Sequence, residues 1–410
     1  MALKSTALVP SDEMTPAHNV GHSKTVFDLR KALEGWGSPI QNWVAGDDSG
    51  NILYFPAGLV PLRRGWDGTM PVPGWTGEYE WSGFIPPAEL PQLLNPPSGM
   101  IVTANNSIVP QSDYPYPYSY DAVPGYRAAR IVEILKSKEK WTAEGIRAVQ
   151  MDVRANQARR LLPALLGALG GQRLEGCEAG AYRALAEWDL IASVDSTAMS
   201  VFTVTYRAAG VIALRDKLPP ELFGFMNSFS YLWGFFDGVW ADRPDSWVFD
   251  VKSKGLKGRD DVLRAAFREA VAKLSERYGA DVASWRWGRL HTLTFRHPFG
   301  ERRALASTFN VGPFAQPGAG DTVFMGNMKM TGDPLAFPDV HGPAMRQVVD
   351  LASPDSGGLI LDLGQSGWPL TPGYSNAVDD WRSGRMWRVS TQEPVYSKDA
   401  TGTVFMTPAK

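Results

Sequence analysis

The sequence predicts an α+β fold in which helices are inserted between two parts of one sheet system. Short β-type runs occur before residue 125 and again after residue 290, with apolar stripes at helical spacing between them. This order predicts separate sheet and helix layers around a shared core. The 41 glycines and 31 prolines exceed the roughly 50 expected together for 410 residues, which predicts long irregular connections.

The charge balance argues against binding to nucleic acid or to an anionic membrane. The chain carries 41 basic and 43 acidic residues, a net charge of −2. It therefore lacks the positive field that holds nucleic acid or an anionic membrane surface. A single cysteine, Cys177, excludes an internal disulfide and a cysteine-built zinc site. We find no signal-peptide pattern, and the uncharged stretch 222–236 is too short to span a bilayer, so localisation stays open.

The pattern of residues 1–125 predicts a short N-terminal lead-in followed by part of a β-sheet. Residues 1–23 show no periodic pattern and are expected to be disordered. Residues 24–125 are interpreted as the first part of the sheet core, with long loops rich in proline and glycine. Within them, an apolar stripe over 26–36 predicts a short helix. Two β-rich runs around the turn 46–50 predict a hairpin over 41–55.

The middle of the chain, residues 126–285, predicts a mostly helical insertion. A stripe running from the capping residue Thr142 to Leu169 predicts one long helix with a bend near Pro163. The cleanest pattern covers 260–278 and predicts a helix capped by its first residue and ended by the following glycine. Residues 286–410 are interpreted as the second part of the sheet core. The runs that predict strands there are 290–296, 322–325, 359–363, 385–390 and 403–406.

The histidines give only weak evidence for a metal site or a catalytic base. His18 and His22 have helical ligand spacing but fall in the patternless lead-in. His291 and His297 share one face if the run between them is a regular strand. They would then form a metal pair or supply a base, but a hydrogen-bonded structural role is favoured for them.

Two further sets of polar residues are candidates for a catalytic role, a pair of glutamates and an Asn-Asn-Ser segment. Glu78 and Glu80 are candidates for a glycosidase acid/base pair, although carboxylates in a loop rich in glycine and proline are more often solvated. An apolar run after Gly99 ends in Asn105, Asn106 and Ser107. An amide at such a position is able to donate to a developing oxyanion, whereas the residue types also suit an ordinary turn. The residues alone favour the turn.

Several segments together resemble the penicillin acylase family of N-terminal-nucleophile hydrolases. Each segment is weak alone, but about ten occur in the family's order over roughly residues 24–395, which covers nearly the whole chain. The matching segments are 41–52, 57–63, 70–74, 80–83, 95–99, 104–107, 126–131, 287–291, 295–298, 342–346 and 364–367, with Tyr374.

The resemblance implies a fold and two site residues. It implies part of a four-layer αββα core with an inserted helical region. Family members hydrolyse amides with an N-terminal serine whose own α-amine is the base. The family's oxyanion-hole asparagine matches Asn105, which reverses the preference for a simple turn. The arginine that organises the nucleophile site matches Arg127, and Arg130 is the alternative if the alignment slips.

The chain also departs from the family pattern. Residues 1–23 contain nothing like the Ser-Asn-x-Trp start of the nucleophile segment, and Ser5 and Thr6 lack the required α-amine. We therefore expect no nucleophile in this chain. The resemblance implies that an upstream small chain and the nucleophile segment are its partners. No cofactor is required for the chemistry. A structural calcium ion cannot be assigned, since its nearest candidate ligand is Asp121 and the loop spacing differs. Family members are typically periplasmic or secreted.

Two functions follow. The first is hydrolysis of N-acyl amides, such as a β-lactam side chain, an acyl-homoserine lactone or another small acylated amine, together with the upstream part. The second is a non-catalytic remnant or binding protein that retains the fold.

Overall fold

The chain divides into two units in the computed structural model, which describes residues 1–118, 122–226, 228, 233–330, 332–390 and 406. The first unit comprises Met1–Ala128 and Asp350–Pro354. The second comprises Ala129–Val349 and Asp355–Lys410.

The first unit is built on short antiparallel strands. Strands β1, β2 and β5 form one sheet in that order, and β3 pairs with β4. Its core includes the buried residues Val26, Phe55, Val60, Ile85 and Leu90. The elements are α1 (Met14–His22), α2 (Val26–Leu33), β1 (Gln41–Gly46), β2 (Ile52–Ala57), β3 (Pro61–Arg63), β4 (Trp81–Phe84) and β5 (Leu93–Leu94).

The predicted hairpin is confirmed. β1 and β2 pair antiparallel, with Trp43 opposite Phe55. Asp47 closes the turn, because its Oδ1 accepts from the backbone N–H groups of Ser49 at 3.1 Å and Asn51 at 3.0 Å. A side chain that bonds to nearby backbone in this way is the reason aspartate favours turns.

Residues 1–23 differ from the expected disordered lead-in, since they contain helix α1. The carboxylate of Asp12 accepts from the backbone N–H of Thr15 at 3.1 Å and from its hydroxyl at 2.6 Å. Pro16 is buried, and Val20 packs against the core of the unit. The start of the helix is therefore held by the carboxylate of Asp12, one residue before the N-cap Glu13, and by a few apolar contacts, which are too sparse to appear as a sequence stripe.

The second unit combines a helical part with a small sheet. Strands β7, β6, β9 and β8 form one sheet in that order, and β10 pairs with β11. Helix α3 (Tyr126–Leu135) enters this unit from the first. The remaining helices are α4 (Ala143–Gln150), α5 (Asn156–Leu169), α6 (Gly176–Ala186), α7 (Thr197–Leu214), α8 (Pro220–Met226), α9 (Gly234–Asp242), α10 (Arg259–Tyr278), α11 (Trp287–Leu290), α12 (Ala306–Phe309) and α13 (Val378–Ser383). The strands are β6 (Thr292–Phe295), β7 (Val311–Ala315), β8 (Asn327–Met328), β9 (Asp339–His341), β10 (Met345–Val348) and β11 (Gly358–Leu361).

Helix α7 forms the centre of the helical part. It packs against α10 and α6, and α10 packs in turn against α5. Gly210 lets the indole of Trp233 approach α7, because a Cβ atom there would lie 1.7 Å from the ring. Helix α7 is long and apolar enough to cross a membrane, but 89% of it is buried inside the unit, as in the core helix of a globular protein.

The prediction of one long helix from Thr142 to Leu169 is wrong. Thr142 does cap α4, but the chain leaves the helix after Gln150 and re-enters it at Asn156. Between the two helices the backbone of Ala155 donates to Leu190 at 2.9 Å, so a tertiary pairing replaces the helical ladder. Pro163 lies inside α5, and the predicted bend near it stays a prediction.

Other boundaries also shift. Helix α10 begins at Arg259 with Gly258 as its N-cap, so Asp260 lies in the first turn instead of capping it. Gly279 ends the helix with φ of +85°, as predicted. The runs 322–325 and 385–390 form no strand, although Trp387 makes a single bridge to Leu359. Residues 403–405 lie outside the described residues.

Candidate active site

Asn105 lies in a bend whose two following residues hold it in place. Oδ1 of Asn106 accepts from the backbone N–H of Ala104 at 3.0 Å, and its Nδ2 donates to the carbonyl of Ser107 at 2.8 Å. The Ser107 hydroxyl donates to the carbonyl of Val109 at 2.7 Å. The turn role therefore falls to Asn106 and Ser107, which leaves the Asn105 side chain available for another contact.

The backbone of Asn105 is in the left-handed region, with φ of +60°. Asparagine tolerates this conformation better than most residues. Its carbonyl accepts from the backbone N–H of Val123 at 3.0 Å, which ties the bend to the segment before α3. The apolar residues 100–103 before it are not part of a strand.

Arg127 binds the side chain of Asn105. Its Nη2 donates to Oδ1 of Asn105 at 2.8 Å, and both residues belong to the first unit. Because a guanidinium only donates hydrogen bonds, the atom facing it must be the amide oxygen. The Nδ2 hydrogens are consequently directed elsewhere, and Nδ2 has no hydrogen-bond partner among the described residues.

Arg130, the alternative to Arg127, is engaged in a different contact. Its Nε donates to Oδ1 of Asp152 at 3.0 Å and its Nη2 to Oδ2 at 2.7 Å. The Asp152 carboxylate raises the pKa of Arg130 above its ordinary value. The structure thus brings Arg127 to Asn105 and holds Arg130 in a bidentate ion pair.

A cavity of about 330 Å³ opens beside Asn105 within the first unit. Its polar lining includes Arg63, at the end of β3, and Asn42, on β1. The residues that line it are Ile40, Asn42, Leu59, Val60, Pro61, Arg63, Asn105, Asn106, Ser107, Ile108, Tyr118 and Ala122. A concave pocket that combines apolar walls with a few polar groups is the usual form of a small-molecule site.

Tyr118 lines the cavity, and Tyr54 binds the lining residue Asn42. Burial raises the pKa of both Tyr54 and Tyr118 well above the ordinary value of 10.0. The hydroxyl of Tyr54 donates to Oδ1 of Asn42 at 2.7 Å, so Asn42 retains its Nδ2 group as a donor. Sequence reasoning missed Arg63, Asn42 and both tyrosines, because their proximity depends on the pairing of strands distant from the Asn105 bend.

The hydroxyls near the start of the chain have local roles. Oγ of Ser5 accepts from the backbone N–H of Ala7 at 3.3 Å, and so caps a short 3-10 helix that begins at Thr6. Neither Ser5 nor Thr6 lines the cavity beside Asn105.

A metal site is not supported by the described residues. Within the ranges that the structure describes, no group of three or more His, Cys, Asp or Glu side chains is arranged to hold an ion. Asp121, the candidate calcium ligand, lies outside those ranges. We therefore derive no step through a metal.

The histidines have structural contacts. His291 is fully buried, and its Nδ1 lies 2.7 Å from the carbonyl of Phe337. His297 instead accepts from the backbone N–H of Phe299 at 3.1 Å and caps a 3-10 helix. In α1, Nδ1 of His22 lies 2.9 Å from the carbonyl of His18. The hydrogen-bonded structural role that the sequence favoured therefore matches their contacts.

The two glutamates proposed as a glycosidase pair are exposed. Glu80 forms an ion pair with Lys4 at 2.6 Å, with both side chains 56% exposed. Glu78 is exposed as well. Neither residue lines the cavity beside Asn105.

Comparison with known proteins decides the family. A sequence model described as penicillin amidase matches residues 1–397, almost the whole chain. The chain belongs to the penicillin amidase family. The predicted resemblance is thereby confirmed, and within this family Asn105 and Arg127 are the residues that the resemblance singled out.

Relatives of this chain include two kinds of acylase. It is 31% identical to penicillin acylase 2 proenzyme of Pseudomonas sp. strain SE83 over 370 residues, which cover 88% of this chain and 45% of the relative. It is 26% identical to acyl-homoserine lactone acylase QuiP of Pseudomonas fluorescens strain Pf-5, with 82% of this chain and 42% of the relative covered. The chain thus spans less than half the length of these two relatives.

The fold is also that of the family. A solved structure of thermostable penicillin G acylase from Alcaligenes faecalis superposes with a TM-score of 0.65 and covers 96% of this chain and 72% of that one, at 17% identity. The predicted α+β class, as part of an N-terminal-nucleophile hydrolase fold with inserted helices, is confirmed by this likeness.

Proposed function

We propose that this chain supplies the oxyanion-binding part of an amide-hydrolysis site of the penicillin acylase type. The observation that carries the proposal is the hydrogen bond from Arg127 to Asn105, which leaves the Asn105 Nδ2 group as a donor that no described residue engages, beside a cavity. A fixed donor at the position where negative charge develops is typically worth about 3–4 kcal/mol of barrier.

Each residue then has a defined task. Attack on the amide carbonyl creates a tetrahedral oxyanion, and Nδ2 of Asn105 donates to that oxygen. Arg127 is a positioning residue, because it acts through the Asn105 oxygen and holds the amide in one orientation. Its positive charge also polarises the amide, which strengthens the donor.

The nucleophile in this proposal comes from an upstream part of the enzyme. In the family's chemistry an N-terminal serine attacks through Oγ while its own α-amine accepts the proton. The amine product leaves, and water releases the acid from the acyl-enzyme. Support comes from the absence of a Ser-Asn-x-Trp segment in this sequence and from the 45% coverage of the proenzyme relative. No cofactor takes part in these steps.

The substrate in this proposal is a small N-acyl amide. The names of the relatives point to penicillins or N-acyl-homoserine lactones, and both classes carry a secondary amide between an acyl chain and a ring. The cavity beside Asn105 has a size suited to a small molecule.

Complementation tests the proposal. The chain is assayed with chromogenic acyl-anilides alone and after co-production with a nucleophile-bearing upstream part of a family acylase. We expect turnover and a trapped acyl-enzyme only in the combined sample. Robust turnover by the chain alone would contradict the external nucleophile. No acyl-enzyme in any combination would favour a non-catalytic remnant or binding protein that retains the fold.

A further inference from the structure

Two histidines lie about one turn apart on the outer face of helix α1. His18 and His22 are both exposed, and the centroids of their rings are 4.3 Å apart. We propose that the two imidazoles bind one divalent transition-metal ion, with Cu²⁺ preferred, at the end of α1. This inference is independent of the proposed function, because the described lining of the cavity beside Asn105 includes no residue of α1.

The core contacts of α1 fix the side of the helix on which the pair lies. Pro16 is buried, and Val20 packs against the core of the first unit. Each residue turns a helix by about 100°, so His18 and His22, two positions further on, face away from that core. A Cβ atom at the neighbouring Gly21 would meet nothing within 4 Å, so the surface beside the pair is open.

The spacing of the pair suits a single ion. Side chains four positions apart in a helix are neighbours on its surface. Two imidazole nitrogens bound to one ion lie about 3 Å apart, because each metal–nitrogen bond is about 2.0–2.1 Å long. Since the ring centroids are already 4.3 Å apart, rotation of the side chains is sufficient for both rings to share an ion, and the backbone need not move.

The ring of His22 is already oriented as a metal ligand would be. Its Nδ1 lies 2.9 Å from the backbone carbonyl of His18. Because a carbonyl oxygen only accepts hydrogen bonds, neutral His22 carries its proton on Nδ1 and a lone pair on Nε2. Among the described residues, none is hydrogen-bonded to Nε2 of either histidine. Metal-binding histidines commonly donate their second ring N–H to a carbonyl or carboxylate, which fixes the tautomer and the ring orientation.

The chemistry of the ligands selects the class of metal. Imidazole nitrogens suit copper, nickel and zinc, whereas carboxylate and carbonyl oxygens suit calcium and magnesium. Among the first three, the divalent copper ion is bound most tightly by a given set of nitrogen ligands. Two imidazoles leave the other coordination positions to water. The site therefore does not require a group of three His, Cys, Asp or Glu side chains, which is lacking among the described residues.

A bound ion would act as a staple across the last turn of α1. The helix has 9 residues, and helices shorter than about 12–15 residues are marginal on their own in water. Gly21 weakens the last turn further, because glycine disfavours the helical conformation. An ion held by both rings connects position 18 to position 22 across this glycine, so its binding should oppose local opening of the helix.

Metal titration of the purified chain tests the inference. Every sample carries Cys177→Ser, so that the free thiol does not compete for the ion. Dissociation constants for Cu²⁺, Ni²⁺, Zn²⁺ and Mg²⁺ are measured by calorimetry for the intact pair, His18→Gln and His22→Gln. The double variant Asn19→His with His22→Asn keeps two histidines in α1 but turns them about 100° apart around the helix. His341→Gln is a further control, since His341 is exposed on β9.

We expect Cu²⁺ to bind more tightly than Ni²⁺ or Zn²⁺, and Mg²⁺ not to bind. Removal of either histidine, or their displacement in the double variant, should weaken Cu²⁺ binding by at least about tenfold, because the second imidazole then no longer binds at a high effective concentration. His341→Gln should leave the dissociation constant unchanged. No binding of Cu²⁺ to the intact pair would overturn the inference, as would an affinity that survives in His22→Gln or in the double variant.

Hydrogen exchange, followed by mass spectrometry, locates the ion. At a Cu²⁺ concentration about 100 times the dissociation constant, exchange of the amides in the last turn of α1 should slow by up to about 100-fold. The double variant should show no such slowing, and thermal melts show whether each variant is folded. Unchanged exchange of these amides at saturating Cu²⁺ would place the ion elsewhere and overturn the inference.

Discussion

The guanidinium of Arg127 donates to the side-chain oxygen of Asn105 at 2.8 Å. The two residues are 22 positions apart in the sequence, and the backbone of Asn105 is in the left-handed region, with φ of +60°. Its chemical consequence is a fixed orientation of the amide, in which the nitrogen is the end that a ligand meets.

Replacement of Arg127 and Arg130 should affect different properties. In the complemented enzyme, Arg127→Gln should lower kcat by about 10–100-fold, because the amide loses a charge-assisted hydrogen bond of roughly 1.5–3 kcal/mol. Arg130→Gln should leave kcat within about threefold and lower the free energy of unfolding by about 1–3 kcal/mol, because Asp152 loses its bidentate partner. Steady-state kinetics and urea unfolding measure the two effects. A larger loss of kcat in Arg130→Gln would favour Arg130 as the site arginine.

Gly210 should tolerate no side chain. In Gly210→Ala the new Cβ would lie 1.7 Å from the Trp233 ring, so α7 and the indole must move apart. We expect a loss of about 1–3 kcal/mol in the free energy of unfolding. Gly238→Ala in α9 is the control, since nothing lies within 4 Å of a Cβ there and alanine favours a helix. Equal stability of the two variants would show that the close contact with Trp233 is not a constraint.

The buried pair His291 and Asp339 should make opposite contributions to the pH dependence of stability. Burial lowers the pKa of His291 from 6.5 to about 4 and raises that of Asp339 from 3.8 to about 6. As the pH falls from 6.5 to 4, the unfolded state protonates His291 first, so the contribution of His291 to stability is lost. Asp339 binds its proton more tightly in the folded state, so its contribution is present at low pH and is lost as the pH rises through 6.

Asp339→Asn removes one of these two contributions. The free energy of unfolding of this variant should fall more steeply than that of the unsubstituted chain between pH 6.5 and 4, by about 2 kcal/mol over the window. Urea unfolding at several pH values measures this difference. Parallel pH profiles for the two proteins would contradict the assigned direction of the Asp339 shift.

Local patterns in the sequence were sufficient to predict several elements. The hairpin of β1 and β2 follows from two β-rich runs and a turn that contains Asp47. Helix α10 follows from an apolar stripe with a terminal glycine. In both, the decisive contacts lie close together in the chain, so composition and spacing contain the necessary information.

Features that depend on distant contacts could not be predicted in the same way. The break between α4 and α5 arises where Ala155 pairs with Leu190, although the apolar stripe continues through it. Asn105 and Arg127 were predicted from a family resemblance, because no local rule relates a bend to the first turn of a helix. Arg63 was missed as a cavity residue, since nothing in its own neighbourhood shows that β3 ends beside the Asn105 bend.

The turnover of Asn105→Asp in the complemented enzyme tests whether Asn105 donates to the oxyanion. The substitution keeps the shape of the side chain and its contact with Arg127, but replaces the donor Nδ2 with an anionic oxygen. We expect kcat to fall by about 10²–10³-fold, with a melting temperature at least as high as that of the unsubstituted protein. A kcat within about threefold of the unsubstituted enzyme would contradict the claim that Asn105 donates to the oxyanion.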